Sequence, residues 1–159
     1  MKILTKQYKV YFFKELSIEA KENVLQNQYD INVDYEWWDH IFDDAEQIGC
    51  KILEFDDHNC KLEFIDFSDE IAYKIIETHG FTCETHKTAK DFLKKYSKLS
   101  TKYCDEADEL IEEFNQSLSE DYRIILRKEY EYLTSEESII ETIEANEYEF
   151  LENGKMDIK

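Results

Sequence analysis

The sequence predicts an α+β protein, in which about five or six helices cover a small and mostly antiparallel sheet. Two observations carry this prediction. The 159-residue chain has no proline and only three glycines, so few positions interrupt a helix. Apolar residues recur at helical spacing through most of the chain, whereas residues 50–67 and both chain ends have the composition or alternation of strands. At this length we expect a single domain, residues 1–159.

The chain opens with an expected strand followed by a helix. KQYKVYFFKEL, residues 6–16, is rich in β-branched and aromatic side chains through Phe13, which favours a strand. SIEAKENVLQNQY, residues 17–29, has helical periodicity, and Ser17 is in place to be its N-cap. The inner face of this helix is expected to consist of Ala20, Val24, Leu25 and Gln28.

The next segment, DYEWWDHIFDDAEQIG, is predicted to be a second helix, residues 34–49. Asp34 is its expected N-cap, and Gly49 ends it as C-terminal glycines do. One face of the segment is apolar, and we expect both of its tryptophans to lie mainly in the core, with room for one of them at its rim. The apolar residues at helical spacing are Trp37, Trp38, Ile41, Phe42, Ala45 and Ile48.

Two alternating stretches, CKILEFDD and CKLEFIDF, predict a β-hairpin over residues 50–67 with a turn at 57–59. A helix capped by Ser68 and ended by Gly80 should follow. The chain is then helical from about residue 87 to 133 with one or two breaks, and Ser119 could begin a new helix or lie within a continuous one. Ser135 caps another helix, and residues 147–158 form a strand and a turn at Asn153–Gly154, so that the sheet draws on both ends and the middle.

Charge is the unusual feature of the composition. The chain has 38 acidic and 19 basic residues, a net charge of −19. A field of this sign repels nucleic acid and anionic membranes, so direct binding to either is not expected, and it favours a basic protein surface as partner. Residues 34–70 carry a net charge of −11 and residues 104–159 carry −13, while residues 71–103 between them carry +4. Solubility alone is the competing explanation of the acidity.

Within the acidic blocks, carboxylates recur at helical spacing. Glu36, Asp39, Asp43 and Glu46 are 3, 4 and 3 positions apart, which places them in one row opposite the apolar face. Such a row could stand in for a phosphate backbone and occupy a groove lined by Arg and Lys, or it could be an ordinary solvated face. A second row begins at residue 105. The candidate partner-binding residues are therefore Glu36, Asp39, Asp43, Asp44, Glu46, Asp105, Asp108, Glu109 and Glu112.

Catalytic and metal-binding patterns are weak. Asp39, Asp43 and Asp44 could hold a divalent metal, but no nucleophile accompanies them. His79, Cys83 and His86, completed by His58 and Cys60, could bind zinc, but the chain has no C-x-x-C pair. Glycine-rich phosphate loops and hydrolase signatures are also absent from the sequence. We therefore expect no catalytic residue, no metal, no cofactor and no enzymatic activity.

Six lysines between residues 87 and 102 could bind phosphate or could balance the acidic blocks: Lys87, Lys90, Lys94, Lys95, Lys98 and Lys102. The N-terminal residues lack the apolar run of a signal peptide, and no stretch approaches the ~20 apolar residues of a membrane helix. We therefore expect a cytoplasmic protein whose four cysteines stay reduced.

Three stretches together carry a resemblance: YFFKELSIEAKENVLQ, DYEWWDHIFDDAEQIGCKILEFD and EYEYLTSEESIIETIEANEYEFLENG. They resemble a family of small acidic proteins encoded by phages, prophages and related mobile elements, and the resemblance spans residues 8–154. It implies an origin, with the bacterial host cytosol as location, more than an activity. A further resemblance to anti-CRISPR proteins implies inhibition of a type VI-B RNA-guided RNase. The DDHN turn of the hairpin is shorter than expected of the family, and no functional residues carry over.

The leading hypothesis is a non-enzymatic inhibitor that binds the basic nucleic-acid channel of a host defence nuclease through acidic helix faces. The alternatives are a phage accessory or regulatory binding module unrelated to CRISPR and a metal-dependent hydrolase.

Overall fold

The computed structural model of the protein describes residues 2–156. The chain is α+β, as predicted, with six α-helices and four short strands in the described residues. In chain order the elements are β1 (Tyr11–Phe12), a 3₁₀ turn (Phe13–Glu15), α1 (Ile18–Asn27), α2 (Asp39–Gln47), β2 (Cys50–Phe55), β3 (Cys60–Phe64), α3 (Ser68–Thr78), α4 (Glu84–Tyr96), α5 (Asp105–Leu133), α6 (Glu136–Ala145) and β4 (Glu149–Phe150).

The strands do not join in one sheet. β1 pairs with β4 and β2 pairs with β3, both antiparallel. The prediction that the strands of both chain ends join the central hairpin in a single sheet is therefore wrong. The first strand is also much shorter than predicted, because β4 offers only two residues for pairing. Residues 2–10 have no regular structure and are exposed.

The chain divides into two compact units: a terminal unit, which takes in the chain up to Trp37 and from Glu129 onward, and a central unit, Trp38–Lys128. The single-domain assignment stays a prediction. In the terminal unit the apolar faces of α1 and α6 share one core with β4. Its buried members are Phe13, Leu16, Ala20, Val24, Ile139, Ile143 and Phe150. Ser17 and Ser135 cap the two helices as predicted, each accepting a hydrogen bond from the backbone N–H three residues on.

Asn32 is a buried polar residue of the terminal unit, and its amide is satisfied. It donates to the carbonyl of Leu133 and to the hydroxyl of Ser138, each at 3.1 Å, and accepts from Thr142 at 2.7 Å. Trp37 is buried as expected, with its ring centroid 5.6 Å from that of Tyr130.

Near the C-terminus the chain folds back at Gly154, where a φ of +82° permits the predicted Asn-Gly turn. The turn brings Met156 opposite Phe150. Asp157 and Ile158 of the predicted final segment lie outside the described residues.

The central unit contains the predicted hairpin. β2 and β3 pair from Cys50 with Phe64 to Phe55 with Cys60, and a bulge interrupts the register between Ile52 and Glu54. Asp56 closes the turn by accepting from the N–H groups of His58 and Asn59 at 2.7 and 2.8 Å. Gly49 ends α2 at a φ of +89°, as predicted.

The long helical region of the central unit has one break, between α4 and α5. α5 runs without interruption through Ser119, which is buried. Of the two predicted possibilities for Ser119, the structure therefore shows a position within a continuous helix. The rings of Phe92 and Phe114 stack at 4.3 Å between α4 and α5. Ser68 is the first residue of α3 rather than its cap, and that helix ends at Thr78.

Candidate functional site

Helix α2 begins four residues later than predicted, which changes the first acidic row. Asp34 is not its cap; the carbonyl of Trp38 accepts the first helical hydrogen bonds, from Ile41 and Phe42. The preceding residues form a tight turn in which the N–H of Trp37 donates to the carbonyl of Tyr35 at 2.8 Å. Glu36 therefore lies outside the helix, and its predicted place in the row is wrong.

The remaining row, Asp39, Asp43 and Glu46, is exposed on the side of α2 opposite its buried stripe of Ile41 and Ala45. Among the described residues, no ion pair neutralises any of the three carboxylates. Asp39 lies in the first turn, where the helix dipole favours a negative charge, but Glu46 lies in the last turn, where the dipole opposes it. The row is thus an exposed, unneutralised surface with an intrinsic cost to helix stability.

Asp44, a candidate residue of α2 outside the row, contacts other elements of the central unit. It accepts a hydrogen bond from the Tyr122 hydroxyl at 2.7 Å, and its other oxygen lies 3.3 Å from Nε2 of His79. Burial alone would raise the pKa of Asp44, but the contacts with His79 and Tyr122 hold it below its usual value. Asp44 is therefore tied to two other elements of the central unit while its side chain stays 46% exposed, and its role in partner binding stays a prediction.

The Asp44 contacts continue into a polar network that sequence patterns missed. Nδ1 of His79 lies 2.7 Å from the Thr85 hydroxyl, so the network links α2, the end of α3, the start of α4 and α5. Burial raises the pKa of Tyr122 far above its usual value, and its bond to Asp44 adds to this. The only sequence signal is a histidine at a predicted helix end, six positions before Thr85.

The order of groups, hydroxyl to histidine to carboxylate, is that of a nucleophile activated by a base. Thr85 is only 2% exposed, however, so its oxygen cannot meet a substrate in this arrangement. The network is suited to holding four helices in register, which is a structural role.

The histidines and cysteines considered for zinc do not come together as a ligand set. In residues 2–156 no cluster of three or more His, Cys, Asp or Glu side chains has metal-binding geometry. His86 instead contacts the carbonyl of His79 through Nδ1 at 3.1 Å. All four cysteines are free thiols, and burial raises the pKa of Cys50 to about 12.

The second acidic row lies along the first half of α5, and part of it has an ordinary structural explanation. Asp105 and Asp108 occupy the first turn, where they complement the helix dipole. Glu112 accepts a hydrogen bond from Gln116 at 2.9 Å. Glu109 is exposed and has neither explanation. This row is therefore a weaker candidate surface than the row on α2.

Half of the lysines in the basic block balance nearby acids. Lys87 pairs with Glu84, and Lys95 of α4 pairs with Glu113 of α5 at 2.9 Å. Lys102 pairs with Asp69 at 3.5 Å. These pairs support the interpretation that the block neutralises acidic neighbours.

No helix among the described residues combines the length and the apolar composition that crossing a membrane requires. Comparisons of the chain with protein-family models, with curated proteins and with solved structures found no match.

Proposed function

We propose that this protein is a non-enzymatic inhibitor, carried by a phage or mobile element, of an RNA-guided nuclease of the host's defence. Its acidic helix faces occupy the basic channel in which the nuclease holds guide or target RNA. The resemblance of three sequence stretches to phage-encoded acidic proteins supports the origin, and the net charge of −19 supports a basic protein as the partner.

The α2 row carries the proposal. Asp39 and Glu46 are separated by about 10 Å along the helix axis, the length over which one strand of a duplex presents about three phosphates. The carboxylates are exposed, unneutralised among the described residues, and fixed to a helix whose opposite face is buried. Fixed acidic groups at this spacing suit Arg and Lys side chains that otherwise bind phosphate.

The test is inhibition of RNA cleavage by a panel of RNA-guided nucleases that includes the type VI-B class. We expect the wild-type protein to bind and inhibit at least one of them. The combined variant Asp39→Lys, Asp43→Lys and Glu46→Lys should abolish inhibition, because it presents like charges to the basic channel.

The matched control changes the net charge equally, by Glu22→Lys, Glu141→Lys and Glu152→Lys. These three residues are exposed and lie outside both rows, so this variant should still inhibit. If the folded α2 variant inhibits as well as wild type, the mimicry mechanism is wrong. If the wild type inhibits no nuclease and a pull-down from the host recovers a metabolic or transcription protein, the accessory binding module replaces the proposal.

A further inference from the structure

An open cavity of about 530 Å³ lies in the central unit, apart from the α2 row. This volume is within the range of small-ligand sites. Its walls combine apolar side chains with a few titratable groups. The lining residues that matter here are Asp44, His79, Asp121, Ile124, Ile125 and Lys128.

One wall of the cavity contains a buried nitrogen without a hydrogen bond. The His79 side chain is only 10% exposed, and its Nε2 atom has no aligned partner among the described residues. The nearest polar atom is Oδ1 of Asp44 at 3.3 Å, close enough for attraction but not aligned as a hydrogen bond. The Tyr122 hydroxyl donates to the other Asp44 oxygen, Oδ2. Oδ1 of Asp44 therefore has no aligned hydrogen bond from a described residue and is free to accept one.

A second wall contains a half-buried carboxylate with too little positive charge around it. Asp121 accepts one neutral hydrogen bond, from Thr88 at 2.6 Å, and forms no ion pair with a described residue. Burial raises its pKa, the Thr88 bond lowers it, and the negative charges of Glu84 and Glu120 raise it further. Lys128 also lines the cavity, and its charge acts on Glu84, which already pairs with Lys87, and not on Asp121.

The apolar part of the lining is suited to an alkyl chain. Ile124 and Ile125 line the cavity on α5, and Ile125 is 37% exposed. Apolar side chains beside carboxylates are the surroundings in which Lys and Arg side chains bury their methylenes while their charged ends stay paired.

We propose that this cavity binds an alkyl cation, a guanidinium or ammonium group on a short apolar chain. The N–H donors of the cation pair with the Asp121 carboxylate and with Asp44 Oδ1, which has no aligned donor of its own. The alkyl chain lies against Ile124 and Ile125. The source of the cation is either a free amine metabolite or an arginine side chain of a bound protein.

The experiment is an amide ¹H–¹⁵N NMR titration of the full chain with butylguanidinium, and with butylurea as its neutral isostere. We expect saturable shifts at the cavity amides, including Gly80, Cys83 and Ile125, with butylguanidinium alone. Asp121→Asn should weaken binding about five- to tenfold, while Glu141→Gln, outside the cavity, should leave it unchanged. The carboxyl carbon signal of Asp121 should also titrate at lower pH when the ligand is bound.

Equal shifts with butylurea, or no saturable shift at these amides, would overturn the proposal. Full affinity in a folded Asp121→Asn variant would do the same. A blocked arginine peptide and butylguanidinium are compared to identify the source: tighter binding of the peptide assigns the site to a protein partner, and binding of the free cation alone assigns it to a small molecule. Because the α2 row is not part of the cavity, failure here leaves the proposed inhibition standing.

Discussion

Two aspartates of the central unit have the same chemistry and opposite electrostatic surroundings. Asp44 lies between Tyr122 and His79, which stabilise its ionised form despite burial. Burial raises the pKa of Asp121 above its usual value, and its two acidic neighbours add to this while its one hydroxyl donor opposes it. The two side chains therefore contribute to stability with opposite signs at neutral pH.

Neutral isosteres separate these two contributions. Asp44→Asn should lower the free energy of unfolding at pH 7 by about 0.5–1 kcal/mol, since a partly exposed ion contact is modest. Asp121→Asn should raise it by about 0.5 kcal/mol, because the ionised carboxylate no longer has to be accommodated. The pKa of Asp44 is lower in the folded protein, so Asp44 stabilises the fold above pH 3.8, and this stabilisation is lost as the pH falls below 3.8. The pKa of Asp121 is higher in the folded protein, so its ionised form costs stability at neutral pH, and this cost disappears as the pH falls towards 3.8.

Urea unfolding at a series of pH values measures both variants against wild type. The two differences should have opposite signs at pH 7 and should both shrink in acid. Differences of the same sign at pH 7 would contradict the assignment of opposite surroundings.

At the scale of the element, α2 is a short helix whose charges are placed unevenly. Its buried stripe fixes it to the central unit, and its carboxylates run from the first turn to the last. The helix dipole therefore favours one end of the row and opposes the other.

We predict opposite effects of charge removal at the two ends of α2. Asp39→Asn should destabilise the protein by about 0.3–1 kcal/mol, and Glu46→Gln should stabilise it by a similar amount. Thermal unfolding at low salt gives both values. A stabilised Glu46→Gln variant that also inhibits the target nuclease less well would indicate that the carboxylate is retained for binding; equal effects at both ends would contradict the dipole argument.

Gly154 decides how the C-terminal turn meets helix α1 in the terminal unit. A Cβ atom built at Gly154 would lie 2.4 Å from the carbonyl oxygen of Ala20, which is backbone and cannot rotate away. The positive φ adds strain for any other residue.

Gly154→Ala should therefore cost about 2–4 kcal/mol of unfolding free energy. Gly80→Ala is the matched control, because the nearest atom to its Cβ is the Cys83 sulfur at 3.7 Å and its φ is not positive. Chemical denaturation should place Gly80→Ala within about 0.5 kcal/mol of wild type. A Gly154→Ala variant as stable as that control would contradict the prediction, because it would mean that the turn can move away from Ala20 of α1 at little energetic cost.

At the scale of the whole molecule, the net charge of −19 sets a general repulsion that local ion pairs do not remove. Lysine pairs of the basic block neutralise particular acids, and the α2 row keeps its charge. The folded protein is therefore expected to be sensitive to ionic strength.

The melting temperature should rise by about 2–4 °C from low to physiological salt, the change that about 1 kcal/mol of relieved repulsion gives at this chain length. The variant Glu22→Lys, Glu141→Lys and Glu152→Lys has a net charge of −13 instead of −19, since each reversal adds two positive charges. The melting temperature of this variant should rise less with salt than that of the wild type. Calorimetry in sodium chloride measures both. A melting temperature that is independent of salt would mean that the acids repel one another little.

The sequence by itself determined the features that depend on neighbouring residues. The caps at Ser17 and Ser135, the turns at Gly49 and Gly154, and the hairpin of residues 50–67 all rest on contacts within a few positions. Helical periodicity likewise located most of the six helices, and composition determined the net charge.

Only the tertiary structure decided which acidic residues face outward and which strands pair. Tyr122 meets Asp44 across 78 positions, and His79 meets it across 35, so no local pattern could separate Asp44 from the row beside it. Glu36 left the row because a turn at Tyr35 delays the start of α2. The hairpin and the strands of the chain ends form separate sheets. Which strands pair depends on which of them lie side by side in the folded chain, and the sequence of a single strand does not determine this.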